Sequence, residues 1–91
     1  MLTARFYAPP YCIFCKMLAP QLKKVAKRFS INLEMFKVGQ DGIAKQIGGD
    51  SEVDVKCIPA FPALVIDNYI LIGSDILYEL ISIVKLKRAA Q

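Results

Sequence analysis

Phe6 to Pro20 reads FYAPPYCIFCKMLAP, and what this stretch becomes decides the fold. Its first residues close an apolar, aromatic-rich run, Leu2 to Ala8, with the composition of a buried strand that stops at Pro9-Pro10. From about Phe14 the apolar positions change period. Leu18, Leu22, Val25, Ala26 and Phe29 recur at spacings of three and four, one face of a helix. Cys12 therefore lies where a strand hands over to a helix, and Cys15 follows one turn later. Pro20 falls inside that helix, where proline removes the bond to the Lys16 carbonyl and bends the axis. Starting the helix at Pro20 instead would strand Leu18 off the apolar face.

Outward from this segment, Ile31 to Val38 alternates well enough for a second strand, and Gly39-Gln40-Asp41-Gly42 breaks it. Ile43 to Ile47 reads as a short helix stopped by Gly48-Gly49. Residues 50–58 are ambiguous. Ala63 to Ile66 reads as a third strand, Asp67-Asn68 as a tight turn, and Tyr69 to Ile72 as a fourth strand pairing back in a hairpin. After Gly73, Ser74 or Asp75 can cap a last helix whose apolar positions are Ile76, Leu77, Leu80, Ile81, Ile83 and Val84. The expected architecture is α/β: a βαβ unit, then a ββα unit, forming a four-stranded mixed sheet flanked by helices in one domain, residues 1–91.

The composition fits a folded chain, with 55% hydrophobic and 22% charged residues among 91. The net charge of +4 gathers at Lys23, Lys24, Lys27 and Arg28 and at Lys85, Lys87 and Arg88. Both clusters fall late in expected helices, where cations complement the dipole; the alternative is a patch for an acidic partner. Nucleic acid is not the expected partner. Three cysteines are an odd count for a secreted disulfide framework. The N-terminus has no signal-peptide pattern, and Ile76 to Leu86 is too short to cross a bilayer. The expectation is a soluble, cytoplasmic monomer with no membrane association.

At the N-terminus of a helix, unpaired backbone N–H groups and the positive end of the dipole favour an anion. A cysteine there is held below the ordinary thiol range and reacts as thiolate. Cys15, one turn on, is within reach for a disulfide. Cys12 is then the attacking thiol and Cys15 the more buried thiol that resolves a mixed disulfide. Half of a zinc site is a rival, but the chain has no histidine and only one further cysteine, Cys57. A cluster shared between two chains and a pair of inert core cysteines are the others. Cys57 itself reads as a small apolar filler.

Taken together, FYAPPYCIFCKMLAP resembles the active-site segment of thioredoxins: an aromatic strand, Ala-Pro, an aromatic residue, Cys-x-x-Cys-Lys, and a proline five residues after the second cysteine. The resemblance implies a thioredoxin-like fold. It also implies a cis-proline facing the cysteines at the start of the third strand. CIPAFPALVIDN offers Pro59 and Pro62. Pro62 is favoured, because counting from Pro59 leaves a proline inside a central strand. A cis Phe61–Pro62 bond would present Phe61 backbone groups to a substrate peptide. The chain departs from the thioredoxin pattern in several places, including an extra residue in Pro9-Pro10-Tyr11. The buried aspartate of the first strand is replaced by Phe6, and its companion lysine by Met35 or Phe36. The residues between the cysteines are Ile13 and Phe14. LIGSDIL resembles glutaredoxins instead, where Gly73, Ser74 and Asp75 would bind the glutathione end.

The function expected from this resemblance is thiol–disulfide oxidoreduction on protein disulfides. Cys12 and Cys15 are catalytic, Tyr11, Ile13, Phe14, Phe61 and Pro62 contact substrate, and no metal or cofactor is bound. Electrons would come from an external reductant, thioredoxin reductase with NADPH or glutathione. The alternatives are a glutathione-dependent, glutaredoxin-like reductase, a non-catalytic binding subunit on the same fold, and carriage of a cluster between two chains.

Overall fold

The computed structural model describes residues 2–89. In chain order it contains β1 (Thr3–Ala8), α1 (Ile13–Arg28), β2 (Asn32–Val38), β3 (Ile43–Gln46), β4 (Glu52–Asp54), β5 (Ala63–Ile66), β6 (Tyr69–Ile72), a single 3₁₀ turn (Gly73–Asp75) and α2 (Ile76–Ala89). One mixed sheet runs in the order β4-β3-β2-β1-β5-β6. β1 and β2 are parallel, joined through α1, and every other neighbouring pair is antiparallel. The βαβ and ββα units are both present, and β2-β1-β5-β6 are the four strands expected.

The other two strands correct the sequence reading. Ile43 to Ile47 is not a helix: Ile43–Gln46 pairs antiparallel with β2, Val38 opposite Ala44, and Glu52–Asp54 in turn pairs with β3. A five-residue helix gains little from propensity alone, whereas the outer edge of β2 offers a row of backbone partners. The turn between them is built locally. Gly42 takes φ +80°, the Asp41 carboxylate accepts from the Ile43 N–H at 3.0 Å, and Gly39 N–H donates to the Ile43 carbonyl at 2.9 Å. Gly48, read as a helix stop, takes φ +80° in the second turn. Glycine with positive φ ends helices and closes hairpins alike.

This exchange of helix for hairpin leaves α1 and α2 on one face of the sheet. There Leu18, Leu22 and Ala26 of α1 meet Ile76, Leu80, Ile83 and Val84 of α2 over Ala4, Phe6, Leu64, Ile66 and Leu71. The opposite face carries a smaller cluster of Tyr7, Phe36, Val38, Ala44 and Val55, with Tyr7 and Phe36 rings 4.9 Å apart. The segment after β4 covers it. The Asp54 carboxylate accepts from the Lys56 N–H at 3.0 Å, so Val55 points inward and the next two residues point out. Cys57, expected as an apolar filler, is consequently exposed.

Helix ends follow the charge pattern. Lys27 and Arg28 lie in the last turn of α1, and the Arg88 guanidinium of α2 donates to the Phe29 carbonyl and stacks over its ring, 5.1 Å from the centroid. Ser30 closes α1 in the left-handed region, φ 56°, while Ile31 N–H reaches back to the Ala26 carbonyl at 2.8 Å. At the head of α2 the expected side-chain cap is not formed; a 3₁₀ turn without a side-chain cap bond takes its place. Among the described residues no helix is long and apolar enough to cross a membrane.

Candidate active site

The site begins with Cys12, which is the N-cap of α1 at φ −86° and ψ 104°. Its extended backbone ends the loop from β1, and its side chain occupies the position where a serine or aspartate would satisfy a free helical N–H. The sulfur does so here: Cys15 N–H donates to Cys12 Sγ at 3.1 Å. No acidic residue lies in the first turn of α1 to oppose a negative charge. Cys15 is buried at 3% exposure, Cys12 is half-buried, and the two are joined as a disulfide with Cα atoms 5.2 Å apart. The outer sulfur is reachable and the inner one is enclosed. Pro20 lies inside α1, one turn beyond the cysteine pair, and the helix continues past it to Arg28.

Around the pair the chain presents an apolar rim. Tyr11, Ile13 and Met17 are exposed and Phe14 partly so. The Phe61–Pro62 peptide is cis, the bond favoured over Pro59. It is tied to the end of β6 by the Gly73 N–H, which donates to the Pro62 carbonyl at 3.2 Å. Tyr11 and Phe61 face one another across a groove of about 270 Å³ that Pro9, Pro10, Lys37 and Gln40 complete. Ile13 and Phe14 lie outside that groove, on the helix side of the rim. Of the three residues compared with a glutathione site, Gly73 reaches the site through Pro62. Ser74 is exposed, and Asp75 lines a different groove, between β6 and α2.

Behind the disulfide lies a second cleft of about 300 Å³. Phe6, Cys15, Ala19, Met35 and Ile47 line it, with Lys16 and Lys37 as its titratable groups. Phe6 is in register with Met35, so the place of a buried carboxylate and its lysine partner is apolar on both strands. No polar or charged residue is buried anywhere among the described residues. Ile47 enters this site because the β2–β3 hairpin brings its N–H to the Met35 carbonyl, and the reading of that segment as a helix concealed it. Among the described residues no group of three or more His, Cys, Asp or Glu side chains could hold a metal ion.

The geometry accords with comparison to known families: the family model described as Thioredoxin matches residues 1–70. The chain belongs to the thioredoxin family. The matched span runs from β1 through the cysteine pair and the cis-proline into β6 and covers most of the 91 residues. Searches of curated proteins and of solved structures find no match. Membership gives the CxxC pair of this thioredoxin-family chain its natural reading as a redox-active dithiol.

Proposed function

We propose that this thioredoxin-family protein is a thiol–disulfide oxidoreductase that reduces disulfides in protein substrates. The observation that carries the proposal is the position of Cys12 Sγ on the free N–H of Cys15 at the N-cap of α1. In the reduced protein the same N–H and the helix dipole stabilise a thiolate there, holding Cys12 below the ordinary thiol range. The Cys12 thiolate attacks one sulfur of a substrate disulfide. A mixed disulfide forms, and the other substrate sulfur leaves as a thiolate that takes a proton from solvent. Cys15 then loses its proton and attacks Cys12 Sγ, which releases the second substrate thiol and leaves the Cys12–Cys15 disulfide. Two electrons pass to the substrate. An external reductant, thioredoxin reductase with NADPH or glutathione, returns them. No carboxylate adjoins Cys15, so water in the cleft beside Lys16 and Lys37 receives its proton.

Tyr11, Ile13, Phe14, Phe61 and Pro62 form the substrate surface in this reading, with an extended peptide pairing to the Phe61 backbone. The second reading is a glutathione end held at Gly73, Ser74 and Asp75, of which Gly73 adjoins the site through its bond to the Pro62 carbonyl.

The test is trapping. Reduced Cys15→Ser protein, mixed with a small disulfide-bonded protein, should accumulate a covalent complex through Cys12, and Cys12→Ser should accumulate none. Turnover compared with glutathione mixed disulfides and with protein disulfides separates the two readings. Full activity in Cys12→Ser, or no reaction of the native dithiol with either class, would overturn the proposal.

A further inference from the structure

The two edges of the sheet are built differently. β4 is three residues long and carries Glu52 and Asp54, features that blunt an edge against pairing. β6 at the other end reads Tyr-Ile-Leu-Ile, with no charge, proline or bulge. Its ladder to β5 pairs Leu64 with Leu71 and Ile66 with Tyr69, and continues in the bond from Gly73 to Pro62. Antiparallel ladders exchange hydrogen bonds at every second pair. Tyr69 and Leu71 therefore turn their backbone groups toward β5, and Ile70 and Ile72 turn theirs to the free edge. Tyr69 and Ile70 are about half exposed, at 48% and 50%.

An open groove of about 600 Å³ runs between this strand and α2. Its apolar walls are Tyr69, Leu71 and the 82%-exposed Tyr78, and Asp75, Glu79 and Ser82 supply its polar side. Neither Asp75 nor Glu79 forms an ion pair among the described residues, although the chain carries a net charge of +4. A lone edge, a lone apolar groove or a lone acidic pair would each say little. Here the three coincide.

We infer that the β6 edge and the groove beside α2 form a second binding surface, distinct from the cysteine site, for an extended peptide segment with basic residues at alternate positions. The segment adds as a seventh strand, its backbone paired to Ile70 and Ile72. Alternate side chains enter the groove, and the intervening ones lie beside Ile70 and Ile72 on the other face, where β-branched residues pack best. Spacing supports the charge assignment. Asp75, which closes the 3₁₀ turn, and Glu79, in the first turn of α2, are four residues apart and separated by about 6 Å of helical rise, and side chains two apart on a strand by about 6.8 Å. Charge also selects against the other ready occupant. A second copy pairing β6 with β6 about a two-fold axis would set both acidic pairs along one seam, with like charges facing.

The experiment uses the oxidised wild-type protein, in which Cys12 has no free thiol, so its outcome is independent of the redox reading. A fluorescein-labelled Val-Arg-Val-Arg-Val peptide is titrated by anisotropy at low ionic strength, beside Val-Glu-Val-Glu-Val and a backbone N-methylated arginine peptide. Saturable binding of the arginine peptide is expected. Affinity should fall about tenfold in Glu79→Lys, in Ile70→Pro and for the N-methylated peptide. Proline is tolerated at an edge position whose N–H faces solvent, so Ile70→Pro keeps the fold while removing an outward donor. Equal binding of all three peptides, or unchanged affinity in both variants, would overturn the inference. So would a dimer in sedimentation that Ile70→Pro dissolves while the arginine peptide fails to bind.

Discussion

Placing a carboxylate in the first turn of α1, with Ile13→Glu, should move stability and reactivity in opposite directions. Ile13 is 76% exposed and follows the N-cap directly, and the first turn carries no acidic residue in the native chain. A glutamate there complements the helix dipole, so the oxidised protein should gain about 0.3–1 kcal/mol. The same carboxylate opposes a thiolate on Cys12. At a separation of roughly 7 Å, Coulomb's law gives about 0.6 kcal/mol in water and about 2.4 kcal/mol at an effective dielectric of about 20. Exposure of the position favours the lower part of that interval. A cost of about 1 kcal/mol corresponds to an upward shift of about 0.7 in the Cys12 pKa. The assay is the pH dependence of iodoacetamide alkylation of the reduced protein, with the modified residue located by mass spectrometry, beside urea unfolding of the oxidised form. Added salt should shrink the shift, because the interaction is near the surface. An unchanged or lowered alkylation midpoint in Ile13→Glu would refute the view that Cys12 is governed by charge at the head of α1.

Other outcomes follow from packing, backbone conformation and charge. Leu22 is fully buried where α1 meets the sheet, so Leu22→Ala should cost about 2–5 kcal/mol, read as a lower urea midpoint at unchanged slope. Ser30 holds a left-handed conformation at φ 56°, and Ser30→Gly should stabilise the protein by about 1 kcal/mol, visible as a higher midpoint. Lys87 donates to the Asp67 carboxylate at the β5–β6 turn, and this bond raises its pKa above the ordinary lysine value. A raised lysine pKa means the ion pair contributes below the lysine titration range and is lost as pH climbs through the folded value. The stability difference between wild type and Lys87→Met should therefore stay level through neutral pH and narrow only above about pH 10.

The cysteine segment was legible because each of its residues obeys a local rule that tertiary context left intact. An apolar, aromatic-rich run up to Ala8, period-three-and-four residues from Leu18, and a pair of prolines between them place Cys12 at the start of a helix. Pro62 was legible because a second proline inside β5 would remove a ladder bond. The segment 39–58 was not legible, and the reason is physical. Ile43 to Gln46 is four residues long, too short for either period to declare itself, and its flanking glycines serve helix ends and hairpins equally. What decided its conformation was pairing with the edge of β2 across the Gly39–Gly42 turn, an interaction that the apolar pattern of these four residues does not record. That misreading hid the second cleft, since Ile47 reaches it only through the hairpin. Cys57 was misjudged for a related reason: burial after β4 turns on the Asp54 side chain accepting from Lys56, which orients Val55 inward and its neighbours outward.

The resemblance in the cysteine segment and the family match agree, while Phe6 sets this chain apart in the part of the mechanism that concerns Cys15. With Phe6 and Met35 in place of a carboxylate and its partner, the cleft offers Cys15 no buried base. Resolution by Cys15 should be slower than capture by Cys12 at neutral pH and should accelerate as pH rises.

The most direct test of the account measures the rate of Cys12 alkylation against pH in the reduced Cys57→Ser protein, with N-acetylcysteine as reference. Capping by the Cys15 N–H and the helix dipole predicts that Cys12 reaches its half-maximal rate at least about one pH unit below the reference thiol. Coincidence of the two curves would contradict it, leaving a thioredoxin-family scaffold whose outer sulfur is an ordinary thiol.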